Sequence, residues 1–501
     1  MRCTVAKTFG VTRVSDETAK MVHMVDKNDD ATVASYVRRL QRHLREVRME
    51  LFLRPAWLDS PRGPLRFVDA QRRLAETQRN LQAEITKRKA TRRRTPEQQE
   101  ILDTLRVLRW QSRRIGDGVA WQVLVHDRQT IAALANSARV PISSVEDDGV
   151  RGVFAAAESF LNNKVGIPVV HDITNCLRIG DLTLNALNSN ERQFHTLEVK
   201  SSRISETQVD DGTTQIQLGV WMTGTETIEL LERQAPVGEA RLPLQVPPPR
   251  REDRRLAKQV DRMTEAKRRR TASLNEIHDF GGNLTYVTKS TQEAHHHWPQ
   301  LRKAIRSARK SGYSYFSIDG FVGYAIFYNA DRISEDDVYR GSLPGDVMNS
   351  IWHDRLRDRN SITVSQIPCK EGVAYAADTM PFTVFEIPLR AKEELVSGKL
   401  MISTVANYGR YEEAARELGY EVMLEPDTKD SRSFFLQRHV EWPSGDRTVV
   451  EFHAPWREIV IAVHEFTGLA GALRAARSVL ELPTQLPLER LVKTSISQEK
   501  T

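Results

Sequence analysis

Cysteine is scarce. The 501 residues hold three, Cys3, Cys176 and Cys369, and no two are spaced for a zinc site. No disulfide framework can carry a fold of this length, so free thiols in a reducing compartment are expected. Long hydrophobic runs are also missing. No stretch approaches a membrane span, and the opening Met1–Lys7 lacks the apolar core of a secretory signal. A cytoplasmic chain with no membrane partner is the expectation. Gly398-Lys399 lacks the upstream glycine of a phosphate loop, which removes ATP from consideration. His464-Glu465 begins like a zinc-protease helix, but Gly468 stands where the second histidine belongs. The adjacent His295, His296 and His297 diverge in any regular element and read as a solvated turn. An acidic excess is absent as well. The net charge is +7 with a pI near 9.2, which favours a polyanionic partner.

What is present is room for several domains. Forty per cent of the residues are hydrophobic and 28% are charged, which is ordinary for a globular chain of two to four domains. Residues 1–30 are polar and undistinguished. Val33, Val37, Leu40, Leu44, Val47 and Leu51 then recur in alternating steps of four and three, the spacing of a coiled-coil seam. A second charged helix is predicted from about Phe67 to Arg92. Thr95-Pro96 begins a third as N-cap and first helical residue, carrying Ile101, Leu105 and Leu108. Residues 1–140 therefore read as a helical arm, a surface through which copies of the chain could join into a homo-oligomer. Its tip, Lys87 to Arg94, concentrates Lys87, Arg92, Arg93 and Arg94, either as a solvated loop or as a phosphate contact.

Residues 141–330 read as the next domain. Val150–Leu161 is an amphipathic helix with Glu158 among its apolar positions. Strands follow at Val165–Val170, after Cys176, and at Phe194–Val199. Ile216–Trp221 is open between strand and helix. Arg251–Arg270 is a strongly basic helix, Trp298–Ser311 another, and Tyr313–Tyr328 a strand pair turning near Asp319-Gly320. Residues 331–501 form an α/β extension, with strands expected at Phe382–Pro388, Thr448–His453 and Ile459–Val463, and helices at Tyr411–Leu418 and Leu469–Leu480.

The chemistry concentrates between Ile179 and Ser202. Asp181 follows a glycine where an apolar run resumes. In Leu197-Glu198-Val199-Lys200, alternation along a strand puts Glu198 and Lys200 on one face. A carboxylate from the neighbouring strand can join them. Two carboxylates make a hard oxygen site suited to Mg²⁺ or Mn²⁺, and a lysine beside it can orient the attacking water. The plainer alternative is a cross-strand ion pair on a solvated sheet face. Glu265-Ala266-Lys267 repeats the spacing, but on a charged helix.

The order of a helix with Glu158, a strand, a strand with Asp181 and a strand with Glu198-Val199-Lys200 resembles the PD-(D/E)xK nuclease superfamily, which includes many restriction endonucleases. Gly180 stands where the motif has proline. The resemblance implies an α/β fold, an α+β mixed sheet flanked by helices, with a core of a helix, three strands, a helix and a further strand. It implies a Mg²⁺-dependent deoxyribonuclease in defence against foreign DNA or in repair. Asp181, Glu198 and the Val199 carbonyl would hold the metal, Lys200 would serve the water, and Glu158 would complete the site. A polar residue on the following helix, for which Gln259 is the candidate, often accompanies them. The alternative is a catalytically inactive nucleic-acid-binding or assembly module of the same fold.

Overall fold

The computed structural model describes residues 3–12, parts of 39–51, 63–135, 148–186, 194–208, 214–224, 254–271, 276–280, 283–287, 295–329, 361–367, 380–396, 399–424, 434–441, 447–453 and 455–481, apart from 92 and 164. For 3–12, 200–208, 214–224, 254–260, 276–287 and 361–367 the backbone alone is described. Val33, Val37, Thr227–Leu231 and most of 330–370 lie outside these ranges. The architecture is α+β, helices packed on small antiparallel sheets. Two compact units divide it. One comprises residues 1–272, 279–285 and 370–384; the other 273–278, 286–369 and 385–501. The expected boundary at residue 140 thus falls inside the first unit.

The first unit is built on a five-stranded antiparallel sheet of order β1-β5-β4-β3-β2. Its strands are β1 (Cys3–Thr12), β2 (Gly166–Val170), β3 (Leu182–Ala186), β4 (Phe194–Gln208) and β5 (Thr214–Gly224). The polar opening residues are therefore an edge strand, paired along all ten positions with β5, from Cys3 against Gly224 to Thr12 against Gln215. Ile216–Trp221 belongs to a strand. Because β4 turns directly into β5, the strand beside β4 arrives before the next helix.

Helices α1 (Gly63–Lys89) and α2 (Pro96–Val123) form the hairpin expected from the sequence. Thr95 and Gln98 close a reciprocal capping box at the start of α2. Leu74, Leu81 and Ile85 on α1 and Leu102, Leu105 and Leu108 on α2 are buried. Leu40, Leu44, Val47 and Leu51 of the preceding seam are buried too. The hairpin packs onto the sheet region. Gln71 of α1 donates to Pro168 O and accepts from Val170 N, which satisfies backbone groups along the outer edge of β2. From Ser112 to Trp121, α2 is buried all round. Gly116 permits this, since a Cβ there would lie 1.9 Å from Ile173 O. Helices α3 (Arg128–Leu134), α4 (Asp148–Asn162) and α5 (Arg254–Thr271) complete the unit. Helix α4 packs on β2 and β4, while α5 packs on α3 and against β4 and β5. A two-stranded ribbon of β6 (Glu276–Phe280) and β7 (Asn283–Val287) follows in sequence.

The second unit holds α6 (Trp298–Ser311), the hairpin of β8 (Tyr313–Ile318) and β9 (Val322–Tyr328), β10 (Ser361–Ile367), α7 (Leu389–Val396), β11 (Leu400–Asn407) and α8 (Tyr408–Glu417). After these come β12 (Glu421–Leu424), β13 (Phe434–Glu441), β14 (Arg447–Phe452), α9 (Pro455–Glu465) and α10 (Gly468–Leu480). Its sheets run β10-β11-β9-β8 and β12-β13-β14. Two sequence expectations are corrected. Phe382–Pro388 is not a strand: it holds a 3₁₀ turn at Phe382–Val384, and α7 begins right after Pro388. Ile459–Val463 lies in helix α9, where burial on every side makes a helix look like a buried strand. Among the described residues, no helix is long and apolar enough to cross a membrane.

Candidate active site

Asp181 lies where β3 begins, across from the centre of β4. The antiparallel register sets Leu182 against Leu197 and Thr183 against Thr196, and Asp181 stands just before the first of these pairs, beside Leu197, Glu198 and Val199. Asp181 straddles Glu198. Its N–H donates to Leu197 O at 2.8 Å, and its Oδ2 accepts from Val199 N–H at 2.8 Å. Alternation along β4 puts Glu198 on the face that carries Thr196 and its partner Thr183, and the Asp181 carboxylate reaches the β4 backbone next to it. Glu198 is 3% exposed and Asp181 is half-buried. A strand residue's N–H and C=O project to the same side, which turns the Val199 carbonyl towards the Asp181 edge as well.

Gly180 makes the approach possible. Its φ is +78°, and a Cβ there would meet Thr196 Cγ2 at 2.8 Å and Leu197 O at 2.9 Å. Proline, locked near −65°, cannot take that conformation, which explains why glycine stands before this aspartate.

His171 holds the same corner from below. Its backbone N–H donates to Asp181 O at 3.0 Å. Its Nδ1 lies 3.0 Å from Gly180 O, and a carbonyl only accepts, so Nδ1 carries the proton. Nε2 must then accept from the Thr183 hydroxyl at 2.7 Å, and Thr183 Oγ1 in turn accepts from Thr196 at 3.1 Å. The imidazole is neutral. Burial pulls it down to about 3, against the opposing pull of the Gly180 and Ile179 backbone. The histidine is thus a satisfied structural group, as expected of most buried histidines.

The loop entering this corner hangs on α2. Asp117, fully buried, accepts from Asn175 N at 2.6 Å, Cys176 N at 3.0 Å and Asn175 Nδ2 at 3.2 Å. Arg113 donates to Thr174 O at 2.9 Å and to Asp172 O; burial pulls its guanidinium down to about 10. Arg114 stands 3.5 Å from Asp117. Cys176, buried and free, has its thiol pushed up by burial and by Asp117. Nothing in the sequence linked positions 113–117 to this loop, because the contact spans some sixty residues. Thr196 was within reach of inspection, since strand alternation alone puts it on the Glu198 face.

Glu158, Lys200 and the hairpin tip are the remaining candidates. Glu158 on α4 is half-buried and ion-paired with Arg72 of α1, whose guanidinium also sits over the Phe154 ring at 5.4 Å. Lys200 is opposite Trp221 in the ladder, and its side chain, like that of Gln259 on α5, is outside the described residues. Among the described residues, no three of His, Cys, Asp and Glu are grouped to hold a metal. At the hairpin tip, Lys87 and Arg93 are exposed and Arg92 is outside the described residues. Arg94 donates to Arg88 O at 3.2 Å and Lys89 O at 2.8 Å, closing the C-terminus of α1.

The donor chemistry at Asp181, Glu198 and the Val199 carbonyl is all hard oxygen, which fits Mg²⁺ or Mn²⁺. No family model, no curated protein and no solved structure matches this chain.

Proposed function

We propose that the chain is a metal-dependent nuclease that hydrolyses DNA phosphodiester bonds, with a restriction-endonuclease-like core preceded by a helical arm. One observation supports the reading: Asp181 is tied to the β4 backbone on either side of Glu198, donating to Leu197 O and accepting from Val199 N–H. Asp181, Glu198 and Val199 would hold a divalent cation, which when bound would polarise the scissile phosphate. Asp181 orients its carboxylate through the Val199 bond. Lys200, two residues beyond Glu198 on the same face of β4, orients the attacking water and offsets negative charge developing on the phosphate. The sequence of α4, β2, β3 and β4 supports the reading, and the β4–β5 hairpin is this chain's own variation on it.

The Glu158–Arg72 pair favours one rival, a non-catalytic nucleic-acid-binding or assembly module, because it engages the helix glutamate in an ion pair with α1. Incubation with plasmid DNA separates the two. The nuclease reading expects cleavage with Mg²⁺ or Mn²⁺, none with a chelator, and none by the Glu198→Ala protein. Equal cleavage by wild type and Glu198→Ala contradicts it. A role in defence or repair would follow from the nuclease activity.

A further inference from the structure

Helix α5 carries eight Lys and Arg residues against two acidic ones, a net +6 in a chain whose total is +7. That pattern works against folding. Arg254, Lys258 and Arg262 follow one another at i, i+4 spacing, where like charges destabilise a helix by about 0.2–0.5 kcal/mol per pair. A helix that keeps such a row gains from something outside the chain that neutralises it.

Its position says what that is. Met263 and Ala266 are buried, and with Lys267 they line a small cavity whose other walls include Thr130 and Leu134 of α3 and Thr196 of β4. Thr196 shares its strand face with Glu198. Helix α5 therefore lies over the side of the sheet that holds Glu198. Gln129 of α3 fixes its C-terminal end by donating to Arg269 O at 3.0 Å. Outward from this seat, Arg262, Arg268 and Arg269 are exposed. Arg269 pairs with Glu265 at 3.2 Å, while Arg262 and Arg268 have no carboxylate within ion-pair distance among the described residues.

The hairpin tip differs on each count. Arg88 is paired with Glu84 at 2.7 Å, and Arg94 is spent on helix carbonyls. Its basic residues have a folding role at a helix C-terminus.

We propose that α5 is the rail that grips the DNA phosphate backbone beside the site, an inference that rests on the nuclease reading. Arg262 and Arg269 are two helical turns apart, about 10.5 Å, which matches the rise of roughly three nucleotides along one strand. Lys267, half-buried, lines the cavity that Thr196 of β4 also lines. DNA fits better than an acidic peptide because the row borders a site built for a phosphodiester, and the phosphates flanking the scissile one must be held.

The test is fluorescence anisotropy of a short duplex bound to the full chain in EDTA, where no cleavage competes, from 50 to 300 mM KCl. Each lost phosphate contact lowers the slope of log K against log salt by about 0.9. The Arg262→Ala/Arg268→Ala/Arg269→Ala protein is expected to lose two to three such contacts, about 2 to 3 in slope, with the matching Arg→Lys protein restoring it. The Arg93→Ala/Arg94→Ala protein is expected to lose less than the α5 protein. Unchanged affinity and slope in the α5 variant overturn the proposal, as does competition by poly-glutamate equal to that by DNA of the same charge. Plasmid cleavage with Mg²⁺, run alongside, reports on the nuclease reading separately. A cleaving wild type with an unaffected α5 variant defeats the rail alone. A non-cleaving wild type whose DNA binding depends on α5 defeats the nuclease reading alone.

Discussion

Two aspartates in this molecule do the same backbone work in different company. Asp319, in the turn between β8 and β9, accepts from Leu469 N–H at 3.0 Å and so ties the hairpin to the first turn of α10. Asp181 accepts from Val199 N–H at 2.8 Å and so ties the start of β3 to β4. Each has a left-handed glycine beside it, Gly320 at φ +60° and Gly180 at φ +78°. The neighbourhoods diverge from there. Around the β8–β9 hairpin the face is aromatic: Phe316 stacks on Tyr324 at 5.0 Å, Tyr324 on Phe466 at 4.4 Å, and the buried Tyr324 hydroxyl donates to Val463 O. Around Asp181 the face holds Glu198, Thr183, Thr196 and, behind them, His171. Buried polar groups cost free energy unless each is satisfied. The second unit buries polar groups too, Glu394, Glu458 and Glu465 among them. What differs is that the buried Glu198 lies between the two β4 residues that Asp181 binds, whereas the hairpin that carries Asp319 packs aromatic rings.

Substitutions sharpen the contrast in descending order of effect. Glu198→Ala should reduce Mg²⁺-dependent cleavage by at least about 10²-fold, the cost of one preorganised charge-stabilising contact. Gel assay of linearised plasmid reads this directly, and circular dichroism checks that the fold survives. Asp117→Ala should act on stability. It strands two buried N–H groups and the guanidinium of Arg114, a loss of about 3–5 kcal/mol that a urea midpoint would register.

His171 sets a pH dependence. Its folded value, about 3, is far below the usual 6.5, so the unfolded chain takes up a proton that the folded one refuses. The histidine's contribution is complete above pH 6.5 and is lost as pH falls from there towards 3, at up to about 1.4 kcal/mol per unit. Urea midpoints at about pH 6.5 and 5 should differ by roughly 2 kcal/mol more in wild type than in His171→Gln. The smallest effect is expected at Arg106, whose pair with Asp103 at 2.7 Å lies on an exposed helix face. Arg106→Ala should stay within about 0.5 kcal/mol of wild type.

What could be read from the sequence depended on whether the signal was local. The N-cap at Thr95, the helix Trp298–Ser311 and the Asp319-Gly320 hairpin are set by near neighbours, and all three stand as expected. So does the pairing of the strand that follows Asp181 with the strand that carries Glu198. Strand β1 was missed because its partner β5 lies some two hundred residues away, although Cys3, Val5, Phe9 and Val11 carry part of a strand's alternation. Helix α9 was misread because an apolar run buried on all sides has no period to betray it. The Asp117 anchor has no local mark at all, and Glu158 kept its place on an amphipathic helix while its charge went to Arg72.

The comparison of the two aspartates comes down to one paired measurement. Asp181→Asn and Asp319→Asn each keep the side-chain oxygen that accepts a backbone N–H and remove only the charge. Cleavage of plasmid DNA with Mg²⁺ should disappear in the Asp181→Asn protein, still folded by circular dichroism, and persist at the wild-type rate in Asp319→Asn. Wild-type cleavage by Asp181→Asn would mean that Asp181 is a structural clamp like Asp319, and that this strand edge holds no catalytic metal.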